Sequence, residues 1–408
     1  MKRIAITGLG TINPVAKNTI EFLSALQTEK SGIDTINSFD ISEIPVKIAG
    51  EVKDFNPKLY MDRRKAKKFD RFLQLGLAAT KEAYEDAGLN DTNDWRESGA
   101  VTVSSGIGGV HTEMREFFEL YKNGPRYVSP FLIPMIITNM MAGVIAMEYK
   151  LNGPNFAPVS ACASSLHSLI TGAMLIETQK CDVAITGGVD AAVTLPAIIG
   201  FSNMMALSKR NEAPEKASRP FDKERDGFVM SEGSGVIILE SEAHAKKRNA
   251  PIYGYLRGYG MSADAHDYSA SDPQGKGPAL AIKRALDDAQ ISPDKIELIN
   301  THGTGTPVGD NSEGKAIQGV FSSSKPLIQS TKTLIGHTIA GSGAIETIAG
   351  ILQAKAGFVH GMPNLNEPDD NLKNMNFVYE KKQKTINLFL KNSFGFGGQN
   401  ASIIVEVV

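Results

Sequence analysis

Short apolar runs alternate with helical patterns along this chain, and that alternation constrains the fold more than any other feature. Runs at 4–7, 99–104, 155–159, 183–187, 235–240, 252–258, 298–300, 327–329, 388–391 and 401–407 read as strands. Segments 17–27, 69–87, 110–121, 138–147, 163–178, 277–289, 309–321 and 340–356 carry helical periodicity. Strands separated by helices predict crossover units on a buried sheet, hence an α/β fold. Asn152-Gly153-Pro154 marks a turn between a helix and a strand.

The chain also rhymes with itself. A strand in each half ends at a polar loop, Ser160-Ala161-Cys162 in the first and Thr301-His302-Gly303-Thr304 in the second. A Gly/Ser-rich turn then leads into a helix. This predicts a duplicated α/β unit with its site at strand C-terminal ends, where such sheets bind ligands. The halves are expected at 1–240, carrying the cysteine, and 241–408, carrying His302, Lys332, His337 and Phe396. The charged, loop-like stretch 206–235 is expected to connect them.

With 408 residues, 42% of them hydrophobic, the chain can bury two cores. A formal net charge of -2 gives no bias toward nucleic acid or an anionic membrane. Two cysteines make no disulfide framework and fit a reducing compartment. Met1-Lys2-Arg3 precedes an apolar stretch that is short and broken by Gly8 and Gly10, so a first core strand is expected rather than a signal peptide. No run approaches the roughly 20 apolar residues of a membrane span. A soluble, cytoplasmic protein is expected.

Cys162 follows an apolar run and opens a helix. Backbone N–H groups at a helix start favour negative charge, so a thiolate with a lowered pKa is expected there. Local context leaves both a nucleophile and a buried structural thiol open, whereas Cys181 reads as a small buried hydrophobe. His302 ends a short apolar strand, and Thr304 and Thr306 follow with a glycine between them. Lys332 lies between a strand and a glycine turn, His337 follows Gly336, and Glu346 in the next helix is a candidate partner for the lysine. Gly395-Phe396-Gly397-Gly398 allows close backbone approach, and a phenylalanine between glycines can swing as a gate. Zinc is disfavoured because no C-x-x-C or H-x-x-x-H spacing occurs. No G-x-S-x-G elbow supports a serine hydrolase, and Gly8-Leu9-Gly10 lacks the third glycine of a dinucleotide site.

Taken together, these residues resemble the β-ketoacyl-acyl-carrier-protein synthases, the elongating condensing enzymes of type II fatty acid synthesis. The resemblance runs nearly end to end. It includes Ser105-Gly106-Ile107-Gly108-Gly109, Ala217-Ser218-Arg219-Pro220-Phe221-Asp222, Arg225-Asp226-Gly227-Phe228 and Asn392-Ser393-Phe394-Gly395-Phe396-Gly397-Gly398. It implies a thiolase fold of two α/β halves in a five-layered α-β-α-β-α arrangement, working as a homodimer. It also implies acyltransferase chemistry in fatty acid elongation: Cys162 takes the acyl chain, His302 and His337 serve malonyl decarboxylation, and Lys332 stands beside them with Glu346 as ionic partner. The N–H groups of Cys162 and Phe396 would form the oxyanion hole, and Phe396 the gate. Thr304 and Thr306 would contact pantetheine, and Ile107, Phe201 and Phe394 the substrate. Ile133 and Ile198 are expected to help set pocket depth. No redox or organic cofactor and no catalytic metal is implied, though some relatives hold a monovalent cation near the positions of Asn300, Glu346 and Asn392. The implied partner is acidic acyl-carrier protein, docking at Arg64, Lys67, Lys68 and Arg126. His167, in the nucleophile segment, is not one of the two catalytic histidines. Polyketide and aryl-polyene ketosynthases share these motifs. Chain-length-factor subunits lack the nucleophile, and thiolases use a second, C-terminal cysteine absent here.

Overall fold

The computed structural model describes residues 3–89 and 94–408; Met1 and Lys2, part of the basic start weighed above, lie outside the described residues. One nine-stranded sheet runs through the chain. Its strands are β1 (Ile4–Ile12), β2 (Ala100–Val101), β3 (Val183–Ala191), β4 (Glu232–Ser241), β5 (Gly254–Ala263), β6 (Leu298–Asn300), β7 (Leu327–Gln329), β8 (Leu388–Gly395) and β9 (Gln399–Val407). Their order is β2-β3-β4-β1-β5-β9-β8-β6-β7. The helices that matter here are α1 (Thr19–Thr28), α2 (Arg63–Lys68), α3 (Arg71–Asp86), α4 (Val110–Asn123), α5 (Met140–Tyr149), α6 (Ser164–Glu177), α7 (Lys276–Ala289), α8 (Pro307–Val320) and α9 (Ser342–Lys355).

The duplication is plain in the pairing. In the first half β2 is parallel to β3, which is antiparallel to β4, which is antiparallel to β1. In the second, β6 is parallel to β8, which is antiparallel to β9, which is antiparallel to β5. The first strands of the halves, β1 and β5, meet at Ile4–Ile6 and join the two half-sheets into one. Helix α3 covers one outer face, α7 and α8 the other, and α6 packs on α9 in the middle, which gives the five layers. Buried between helix layers, β1 is apolar or small along its whole length.

Close helix–strand approach is built identically twice. A Cβ on Gly8 would lie 2.3 Å from Ala83 O, and one on Gly10 would lie 2.0 Å from Ala79 O. A Cβ on Gly258 would lie 2.7 Å from Ala285 O, and one on Gly260 would lie 2.1 Å from Ala281 O. A G-x-G strand therefore rests on an A-x-x-x-A helix in each half, because neither surface carries side-chain bulk at the contact.

Three expectations need correction. The run at 155–159 is no strand: Asn155 makes a single parallel bridge to Val101. Pro158 has no N–H to extend a ladder, and Asn155, Phe156 and Val159 are exposed. This extended segment stands where β7 stands in the other half. The stretch 206–235 does not connect the halves. It folds back over the site, where Gly227 N–H bonds Gly305 O and Arg225 lies 3.5 Å from Asp310, and then enters β4 of the first half. The chain instead crosses between halves after Ser241, through the short helix Glu242–Lys247. Finally, the loops that rhyme in the sequence are not counterparts in the fold. The Cys162 loop matches the loop before α9: Ala161 (φ 49°) and Ile339 (φ 48°) each take a left-handed conformation. Ser160 N–H bonds Ser164 Oγ just as Thr338 N–H bonds Ser342 Oγ.

Replacing Gly10 or Gly260 with alanine should lower stability by about 1–3 kcal/mol. Urea unfolding is the measurement, with a lower midpoint at unchanged slope expected; midpoints equal to wild type would mean the helices do not seat on these strands.

Candidate active site

Cys162, His302 and His337 come from three separate loops, yet one potential ligand atom of each lies within 4.8 Å of the other two. All three residues are buried. The imidazole rings meet edge to face at 5.4 Å, and His302 also packs on Phe394 and His337 on Phe228.

Each loop has a local reason for its shape. Ala161 turns left-handed just before Cys162, a strain on the order of 1–3 kcal/mol that tertiary contacts must hold. Ser164 Oγ holds that turn by donating to Ala161 O at 2.7 Å. A Cβ on Gly395 would meet Ser160 O at 2.4 Å, so β8 can end against the nucleophile only with glycine there. At the end of β6, Glu313 accepts the N–H groups of His302 (2.9 Å) and Gly303 (2.8 Å), and Asp310 accepts those of Thr304 (3.0 Å) and Gly305 (3.1 Å). His337 Nδ1 lies 2.9 Å from Ser342 Oγ at the start of α9.

The electrostatics overturn one expectation. The Cys162 thiol is not lowered but pushed up to about 12 by burial, which outweighs the opposing pull of the Lys332 charge and of the N–H groups of Cys162 and Phe396 directed at the sulfur. A helix start cannot compensate for that much lost solvation. Burial, reinforced by the Lys332 charge, also holds both imidazoles well below the usual histidine range, so at neutral pH the site contains a thiol and two neutral rings. His302 Nδ1 and His337 Nε2 are buried without a protein partner. A buried polar atom left free in this way calls for a ligand or a role.

A cavity of about 420 Å³ opens onto these groups. Ile107, Phe201, Thr304, Thr306, Phe394 and Phe396 all line it. The hydroxyls of Thr304 and Thr306 lie 3.0 Å apart, and the ring of Phe396 faces that of Phe201 at 6.1 Å. Ile133 and Ile198 do not line it: Ile133 is exposed on the surface and Ile198 is fully buried in the core. His167 is used locally, its Nδ1 lying 2.7 Å from Ser160 Oγ. Arg64, Lys67 and Arg126 are exposed, and Lys68 lies with its ammonium 3.4 Å above the Phe131 ring, which ties α2 to the segment carrying Arg126.

Lys332 is fully buried, donating to Glu346 Oε1 at 2.6 Å and to His302 O at 2.7 Å. Several functional neighbours escaped sequence reasoning. Asp190 accepts from Ser105 Oγ (2.7 Å) and from the N–H groups of Ile107 (3.1 Å) and Ala340 (2.8 Å), joining two cavity loops. Lys391 lies 2.5 Å from Glu346 Oε2. The available signal was a charged residue inside an otherwise apolar strand, Val189-Asp190-Ala191 and Leu390-Lys391. Most of the oxygens expected to hold a monovalent cation already face another donor, and of them Asn300 Oδ1 alone is buried with neither a hydrogen bond nor a facing ammonium. Asn392 O and Glu346 Oε2 face the Lys391 ammonium, Asn392 Oδ1 accepts from Ser402, and Glu346 O accepts from Asn300.

A thiol held near 12 should react with iodoacetamide slowly at neutral pH, with a rate that rises about tenfold per pH unit from 7 to 9. A plateau near pH 7 would show instead that the thiolate is already formed.

Comparison with known proteins agrees with this geometry. Residues 1–245 match the family described as beta-ketoacyl synthase, N-terminal domain, and residues 253–366 its C-terminal domain. A 3-oxoacyl-[acyl-carrier-protein] synthase 2 of Coxiella burnetii is 40% identical, the match covering 100% of this chain and 99% of that one. Among solved structures, the ishigamide ketosynthase/chain length factor superimposes with a TM-score of 0.93 at 31% identity, covering 100% of this chain and 99% of that one. A type II polyketide ketosynthase in complex with its acyl-carrier protein gives a TM-score of 0.92 at 29% identity, with 100% of both chains covered. The fold is the thiolase fold of the ketosynthases, and the chain belongs to the beta-ketoacyl synthase family.

Proposed function

We propose that the chain catalyses decarboxylative condensation of malonyl-acyl-carrier protein with a Cys162-bound acyl chain, giving 3-oxoacyl-acyl-carrier protein in fatty acid elongation. The observation that carries this reading is a neutral thiol beside two neutral imidazoles, each with a free buried nitrogen, at the end of an apolar cavity. The full-length relative named for this reaction supports the fatty acid pathway.

In the first step Cys162 sulfur attacks the acyl thioester. The new C–S bond replaces the carrier's, and the thiol proton leaves with the carrier thiol. The tetrahedral oxyanion sits between the N–H groups of Cys162 and Phe396, both of which reach the sulfur. In the second step the malonyl carboxylate leaves as carbon dioxide, and its bonding pair passes into the thioester enolate. N–H donation from the neutral rings of His302 and His337 stabilises the enolate oxygen. The enolate carbon then attacks the Cys162 acyl group, the sulfur departs as thiolate, and it takes up a proton from solvent. Lys332, anchored by Glu346, holds the His302 carbonyl. Thr304 and Thr306 contact the pantetheine arm and Phe396 gates the cavity. No metal or organic cofactor takes part.

The solved complex of a similar ketosynthase with its carrier supports an acyl-carrier protein partner here. Arg64, Lys67, Lys68 and Arg126 attract it by charge. The chain works as a homodimer in a cytoplasmic setting. The extended segment at 155–159 leaves a free sheet edge, and Phe117, Phe118, Tyr121, Ile133 and Phe156 are exposed apolar surface for a second copy. Among the described residues no helix is long and apolar enough to cross a membrane.

Two measurements test this reading. Cys162→Ala should abolish 3-oxoacyl product from acyl- and malonyl-carrier protein while carbon dioxide release persists; full condensation by the variant would sink it. Reversing Arg64 and Lys67 to glutamate should raise KM for the carrier roughly tenfold with little change in kcat, and the difference should shrink with salt. Unchanged KM would remove the docking surface from this face.

A further inference from the structure

One group near the site has no part in the chemistry above. Lys391 lies in β8, where Phe389, Lys391 and Ser393 point to the same side. That side faces α9: a Cβ on Gly350 would touch the Phe389 ring, and one on Gly343 would touch Ser393 Oγ. Between these contacts Lys391 meets Glu346, and both side chains are fully buried. The ammonium donates to Thr301 O at 2.9 Å and to Asn392 O at 2.5 Å, and lies 2.5 Å from Glu346 Oε2. The other carboxylate oxygen, Oε1, is held by Lys332. One carboxylate thus bridges two lysines, and those lysines take the carbonyls of consecutive residues, Thr301 and His302. The need is physical. Strand β6 stops at Asn300, and buried carbonyls beyond its end require donors.

Resting on the condensing-enzyme reading, we infer that Lys391 is a tethered cation: its ammonium supplies the positive charge on which Glu346 and the Thr301 and Asn392 carbonyls converge, so this enzyme positions His302 and the Phe394–Phe396 turn without a bound monovalent cation. Lys391 is a positioning residue, since it acts on the reacting groups only through the loops it joins. Its three acceptors come from α9, the loop after β6 and β8 itself. Those loops carry one imidazole and one of the two N–H groups directed at the sulfur. A shift of either would misplace a donor by a distance that matters, since a displacement of about 1 Å can cost on the order of 100-fold in rate. Burial lowers the Lys391 ammonium to about 8, and the Glu346 charge opposes that fall.

The experiment compares wild type, Lys391→Ala and Lys391→Met in potassium, ammonium, sodium and choline chloride at equal ionic strength, reading kcat, KM and melting temperature. Wild type should give the same values in all four salts, within about twofold in kcat. Lys391→Ala, which leaves a hole of the right size, should lose about 100-fold in kcat in choline with little change in KM. Ammonium or potassium should restore at least about tenfold of that and raise the melting temperature. Lys391→Met fills the hole and should stay low in every salt. The inference is overturned if wild type itself needs potassium or ammonium, if Lys391→Ala keeps wild-type kcat in choline, or if neither cation raises its kcat or melting temperature. Should Lys391→Ala fail to fold, the wild-type comparison decides alone. Should wild type make no product from any carrier substrate, the condensing reading fails, while the salt dependence of melting still tests the tethered cation.

Discussion

The Glu346 carboxylate, fully buried in the central helix layer, is the point on which the site geometry rests. Its two oxygens hold Lys332 and Lys391, and through them the carbonyls of Thr301 and His302, so one charge fixes the loop of an imidazole from two sides. A buried ion pair gains little over apolar packing, but removing one partner strands a charge at a cost of about 3–5 kcal/mol. The arrangement therefore specifies geometry more than it adds stability. The surrounding layers shield it from solvent: α9 is buried along nearly its whole length, pressed between the two half-sheets and against α6.

That dryness sets the chemistry. The burial that makes Glu346 bind its lysines also keeps Cys162 protonated and both imidazoles neutral. A thiolate exposed at a helix start would react with any electrophile. A thiol raised to about 12 instead waits for a carbonyl placed against the N–H groups of Cys162 and Phe396, where its proton can leave with the carrier thiol. Neutral rings suit the second half-reaction, because each can donate an N–H to the enolate oxygen, whereas an imidazolium would protonate the enolate and quench it. The loops of Asp190, Asp310 and Glu313 supply the same economy at the rim: carboxylates accept backbone N–H groups and hold Gly106, Ile107, Thr304 and Gly303 in place without touching substrate.

Much of the fold was legible. Nine of the ten apolar runs became strands of the main sheet, because each is buried within it. The exception, 155–159, shows the limit of reading apolarity alone: Pro158 removes a donor, and the run lies at an edge. The duplication was visible, but through the wrong residues. Loop similarity paired Cys162 with His302, whereas the structural repeat is carried by G-x-G on A-x-x-x-A and by the left-handed turns at Ala161 and Ile339. Those positions are dictated by backbone clearance, which a search for reactive side chains passes over.

The sequence by itself determined the residue types of the chemistry, the α/β alternation and the motif that relates the chain to the ketosynthases, because these depend on local pattern and on which side chains can do acyl transfer. Only the tertiary structure decided the protonation state of Cys162, the place of Lys391 among the oxygens around Glu346, and the route of 206–235 over the cavity. Desolvation and the convergence of groups distant in the chain belong to no single segment, so no spacing in the sequence can encode them where a reader could find them.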